Sequence, residues 1–77
     1  MFAAVRFEVD ADVSPGLLPR LLQPFARRDL VPDSFHAVHA DGTMRIAIAM
    51  DAMPREMVHL IGGNLKQVVG VRDVTTR

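Results

Sequence analysis

Seventy-seven residues, nearly half of them apolar, are enough for one domain (residues 1–77) but leave a thin stability margin. Ordering costs of about 1.5 kcal/mol per residue almost cancel apolar burial at this size, so such chains use a staple or a partner. The absence of cysteine removes disulfides and thiolate metal sites, which leaves oligomerisation as the expected route. Nine basic and nine acidic residues cancel, which argues against nucleic acid as a partner. No apolar run approaches the roughly 18–20 residues of a membrane span. Met1–Arg6 lacks the basic and long apolar regions of a signal peptide, so a cytoplasmic protein is expected.

The chain opens with an alternating segment. Val5, Phe7 and Val9 interleave with Arg6, Glu8 and Asp10, the period-two pattern of a half-buried strand. The pattern breaks at Ser14-Pro15-Gly16, and Leu18, Leu21, Leu22 and Phe25 then recur at helical spacing. Ser14 and Pro15 suit a helix start, and Gly16 leaves the turn sterically open. Pro19 is tolerable in the first turn, whereas Pro24 removes an internal hydrogen bond and predicts a kink or a split. Arg27-Arg28-Asp29 is a polar exit, and Val31-Pro32 stops the helix.

A second strand is expected over Asp33–Ala40, with Phe35, Ala37 and His39 on one face and Ser34, His36 and Val38 on the other. Asp41-Gly42 is a strong type I′ hairpin signal. The third strand, Thr43–Met50, alternates Met44, Ile46, Ile48 and Met50 with Arg45, Ala47 and Ala49. Pro54 suits the first turn of a second helix striped by Met57, Val58, Ile61, Leu65 and Val68. Gly62-Gly63 weakens that helix, Gly70 closes it, and Val71–Thr75 is a last short strand. The order β-α-β-β-α-β defines an α+β, ferredoxin-like sandwich: a four-stranded antiparallel sheet with two helices on one face. Its core would be Val5, Phe7, Val9, Ile46, Ile48 and the two helical stripes.

This fold hosts many functions, so residues must decide among them. No nucleophile is paired with a base within its own segment, and cysteine and tyrosine are absent, so an enzyme is not expected. His36 and His39, three apart on a strand, point to opposite faces and cannot share an ion; no metal or other cofactor is expected. The open sheet face, with Ala4, Arg6, Glu8, Arg45, Ala47 and Ala49, reads either as a docking floor or as a solvated face of cross-strand ion pairs. The central strands also lack the aromatics of an RNA-recognition motif.

A strand ending in Asp10 and Asp12, then Pro15-Gly16-Leu17-Leu18, Leu21-Leu22 and Phe25-Ala26, resembles the ACT domain, a small amino-acid-sensing module of the same element order. The segment Ile46-Ala47-Ile48, Pro54-Arg55 and Asn64–Val74 is similar to the end of short regulatory (small) subunits of acetolactate synthase. That resemblance implies a non-catalytic regulatory subunit in branched-chain amino-acid synthesis, docked on a thiamine-diphosphate-dependent catalytic subunit. It also implies a side-by-side homodimer through the outer second strand, whose edge is Phe35, His36, Ala37 and Val38. An unpaired edge invites such pairing independently. An amino-acid effector would then sit between the loop Asp12, Val13, Ser14, Pro15, Gly16 and Leu17 and the neighbouring Asp33 and Ser34. The first amides of a helix attract a carboxylate, and Gly16 lets it approach. Two alternatives stay open: a freestanding amino-acid sensor for another partner, and a structural dimerisation module without ligand, in which Gly16 merely permits a turn and Ser14 merely caps a helix.

Overall fold

Alternation along the first strand fixes the architecture. In the computed structural model, which describes residues 1–77, β1 (Phe2–Asp12) buries Val5, Phe7, Val9 and Ala11 and turns Arg6, Glu8, Asp10 and Asp12 to the other face. β1 is followed by α1 (Leu17–Ala26), β2 (Ser34–Ala40), β3 (Thr43–Pro54), a single 3₁₀ turn (Arg55–Met57), α2 (Val58–Lys66) and β4 (Val71–Thr76). The sheet order is β2-β3-β1-β4 and every pairing is antiparallel, the expected ferredoxin-like sandwich. The helices supply Leu17, Leu21, Phe25, Ile61 and Leu65 to a core of 14 buried apolar residues. At its centre Phe7 and Phe25 meet edge to face, ring centroids 6.0 Å apart at 72°, a geometry favoured by the ring quadrupoles.

Asp41 and Gly42 both have positive φ, 55° and 74°, as the type I′ hairpin between β2 and β3 requires. Two other boundaries differ from the sequence expectation. β3 does not end at Met50 but runs to Pro54, because Phe2 and Ala3 continue the ladder opposite Pro54 and Met53. A register shift between Ala3 and Val5 accommodates the extra residue, and Met53 is fully buried. Pro54 therefore closes a strand (φ −54°, ψ 124°) instead of opening a helix. The second helix begins only after the 3₁₀ turn and ends at Lys66, so Val68 reaches the core from a turn beyond it.

Helix α1 starts later than Ser14-Pro15 suggests. Its N-cap is Gly16, no side chain caps it, and the Ser14 carbonyl instead accepts from the Leu17 amide at 3.2 Å. Nor is the helix split: it runs through a buried Pro24 to Ala26. The missing Pro24 donor falls in the last turn, where a different device ends the helix. The Leu30 amide donates to the Phe25 carbonyl (2.9 Å) and the Asp29 amide to Ala26 (3.2 Å), with Asp29 left-handed at φ 56°. This is a Schellman close with aspartate where glycine is usual, and Leu30 packs back on the core.

The two glycines around α2 with open surroundings have opposite roles. Gly63 is exposed in mid-helix with nothing within 4 Å of an added Cβ. Gly63→Ala should therefore stabilise by about 0.8–1 kcal/mol, the helix-propensity difference. Gly70 sits at φ +95° before β4 and its carbonyl accepts from the Asp12 amide at 2.8 Å. Gly70→Ala should cost about 1–2 kcal/mol from the left-handed penalty. Urea denaturation of the two variants reads both signs.

Candidate functional site

The loop Asp12–Leu17 joins the end of β1 to α1, and each residue in it has a distinct fate. The Asp12 carboxylate is held by the Arg72 guanidinium across the β1–β4 bulge. Val13 is 44% exposed and free of the core. Ser14 and Gly16 are half-buried and Pro15 is exposed. Leu17 is given to the core at 1% exposure, and its amide is spent on Ser14. Pro19 carries no amide, and the Arg20 amide donates to Gly16 at 3.3 Å. Only the Leu18 amide of the first turn is left without a backbone acceptor, so the helix terminus alone offers a carboxylate little.

A side chain supplies the missing positive charge. The Arg20 guanidinium folds back over the loop, its Nη2 only 2.6 Å from where a Cβ on Gly16 would stand. Gly16 itself has φ −92°, which any residue adopts. It thus serves close approach, as expected, but the group that approaches is Arg20. Neither Arg20 nor Arg72 is among the candidate site residues expected from the sequence. The first was legible as a cation four residues, one helical turn, after Gly16; the second depends on the bulge and was not.

Asp33 and Ser34 lie elsewhere in the protomer. Ser34 pairs with Ala49 and hence stands level with Arg6, whereas Asp12 stands level with Thr43 and Ala40. Six residues of strand separate these levels, roughly 20 Å at about 3.3 Å per residue. The Asp33 carboxylate is also engaged, accepting from the Asp51 amide at 2.6 Å, and its amide donates to Ala49 at 2.9 Å. One protomer therefore does not bring the loop and the Asp33-Ser34 pair together, and none of its larger cavities is lined by residues 12–17.

β2 is an outer strand, exposed from His36 to Ala40, with Val38 at 58%. His36 pairs with Ala47 and His39 with Met44, on opposite faces of the sheet. On the open face Arg6 pairs with Glu8 (3.3 Å), Arg45 with Asp10 (3.5 Å) and Arg77 with Glu8 (3.8 Å). These exposed pairs contribute little stability each, but they consume the charges of the face.

An antiparallel sheet with β2 at its edge, two helices on one face and a glycine loop opening α1 is the build of a small ferredoxin-like α+β module. The chain belongs to the ACT-like domain family, whose pattern it matches over residues 2–77. Among solved structures, the ACT domain from GTP pyrophosphokinase of Chlorobium tepidum superposes with a TM-score of 0.83 at 12% identity, covering 100% of both chains. An uncharacterized protein of Thermotoga maritima superposes with a TM-score of 0.80 at 11% identity, covering 100% of this chain and 96% of that one. At these identities the likeness is one of fold. No curated protein matches in sequence. ACT domains are in general regulatory and not catalytic, and no helix here is long and apolar enough to cross a membrane.

Because an added Cβ at residue 16 meets only the far end of a flexible arginine, Gly16→Ala should change stability by less than about 0.5 kcal/mol. Urea denaturation checks this; a loss of several kcal/mol would mean that Arg20 is pinned in place.

Proposed function

We propose that this chain is an ACT-like regulatory domain that works as a twofold dimer and takes an amino-acid effector at the seam. The catalytic subunit of acetolactate synthase is the partner that the sequence resemblance suggests, and biasing that enzyme's state is the proposed action. The observation that carries the reading is the register of the edge strand. Ala40, Thr43 and Asp12 stand at one level of the sheet, with Ser34 six residues away along β2. Antiparallel pairing of β2 with its mate about Ala37 sets Ser34 of the partner subunit opposite Ala40, and so level with the Asp12–Leu17 loop. Two copies thereby set Ser34 of the partner subunit level with the loop, across the ends of β3 and β2.

The chemistry of the loop agrees with a zwitterionic ligand. Arg20 and the Leu18 amide receive a carboxylate, while Asp33 of the partner subunit offers an acceptor for an ammonium group. The Asp12 charge, already neutralised by Arg72, does not oppose the carboxylate. An effector that prefers one arrangement of the two protomers then shifts the dimer, since coupling requires differential affinity.

Light scattering should give a dimer for the unmodified chain. Val38→Lys, which places a charge on the exposed edge, should give a folded monomer. Valine, leucine or isoleucine should raise the thermal midpoint of the dimer, with about 2.7 kcal/mol of stabilisation at a hundred times the dissociation constant. The Val38→Lys monomer should show no rise. A dimer indifferent to every amino acid would sink the effector site, and a shift that survives in the monomer would move it off the seam.

A further inference from the structure

A net charge of zero conceals a segregation. From Val13 to Pro32 the only carboxylate is Asp29, and from Met57 to Arg72 there is none, so the helix layer carries Arg20, Arg27, Arg28 and Lys66 against one acid. The sheet is by contrast close to balanced: Arg6, Arg45 and Arg72, with Arg77 beside β4, stand against Glu8, Asp10, Asp12, Asp51 and Asp73, and Glu8, Asp10 and Asp12 are in the ion pairs already described. None of the four ion pairs in the molecule involves an arginine of α1 or its cap.

Two of these cations, Arg20 and Arg27, border a groove of about 300 Å³ between α1 and the end of α2. Its walls are Arg20, Gln23, Arg27, Asn64 and Gln67, its floor Pro24 and Val68, and no carboxylate lines it. The arginines are positioned by neutral acceptors only. Arg27 donates to the Gln23 side chain at 3.3 Å, and Arg28 donates to the Pro24 carbonyl at 3.3 Å. With the Asn64 amide oriented to satisfy its surroundings, its oxygen accepts from both Arg28 terminal nitrogens, also at 3.3 Å. Most of the guanidinium donors therefore remain unspent. Arg20 and Arg27 are seven residues apart, about two helical turns or 10 Å along one side of α1.

We infer that this groove docks an acidic segment of a partner protein, its carboxylates forking onto Arg20 and Arg27 and its backbone served by the amides of Gln23, Asn64 and Gln67. Planar guanidinium groups suit bidentate carboxylate contacts. The groove is open and lined mainly by polar and cationic side chains, which suits an extended acidic segment lying over it and does not enclose a small molecule. Such a surface also steers an acidic partner before contact. It lies on the helix layer, so β2 can pair with a second copy while the groove is occupied.

The test uses the full chain and a fluorescein-labelled hexaglutamate peptide followed by anisotropy at low ionic strength. Saturable binding is expected, weakened at least tenfold in Arg20→Ala/Arg27→Ala and by 0.3 M salt, and unchanged in Arg45→Ala on the open sheet face. Circular dichroism establishes that the variants are folded. Should the double variant fail to fold, Arg27→Glu alone serves, with the same expected loss. No binding by the unmodified chain, equal binding by the variant, or binding of inorganic pyrophosphate or an oligonucleotide in place of the peptide would overturn the inference. Arg20 also serves the proposed effector loop, so the amino-acid response is measured in Arg27→Ala, which leaves that loop intact; peptide binding lost there with the response retained assigns the loss to the groove.

Discussion

The constraint on which the molecule depends is the double duty of β1. It is hydrogen-bonded on both sides, to β3 and to β4, and it is two-faced as well. Val5, Phe7, Val9 and Ala11 must be apolar to seat the helices, while the residues between them must be soluble on an uncovered face. A slip of one residue would exchange the two sets, so the register is strongly fixed. The helices are then placed by what β1 offers them. Phe7 takes Phe25 from α1 edge to face, and its ring edge lies 3.7 Å from where a Cβ on Gly62 of α2 would stand, so both helices close on one side chain.

That duty explains which parts of the fold were legible in the sequence. Period-two segments such as Val5–Val9 and Met44–Met50 announce themselves because half-burial forces alternation. Asp41-Gly42 was legible because few residue pairs tolerate two positive φ values. The boundaries that moved are those set by contacts distant in sequence. β3 runs past Met50 only because Phe2 and Ala3 wait opposite, and Pro54 reads as a helix start until that pairing is known. Ser14 looked like a cap because its chemistry suits one, yet the chain turns through Gly16 and uses the serine's carbonyl instead. Pro24 was expected to break α1, but the helix runs through it and ends two residues later in its Schellman close.

The site was legible as a place and not as a set of partners. Composition and spacing single out the loop after β1, but nothing in Asp12 declares that Arg72 will neutralise it, since that contact crosses a bulge between the ends of the chain. A summed charge of zero likewise says nothing of where the charges lie. The cations of the helix layer stand apart from the ion-paired charges of the sheet because α1 packs on the covered face. Zero net charge argues against wholesale attraction to polyanions; it does not exclude a local cationic surface.

The pairing of β1 with β4 bears on how the chain reaches this state. Arg6 and Arg77 exchange both backbone hydrogen bonds, at 3.0 and 2.9 Å, so the central strand acquires its second neighbour from a segment almost the whole sequence away. Contacts of such wide separation must close a large loop before they reward it, and folds rich in them assemble slowly. The hairpin of β2 and β3 can form locally and recruit β1, leaving β1 with one flank bare until β4 arrives. During synthesis that flank, bordered by Phe7 and Val9, is an open strand edge waiting for a segment not yet made, and a neighbouring nascent chain can supply the missing strand instead. The fold's period of vulnerability is thus on the β1–β4 side of the sheet, away from β2.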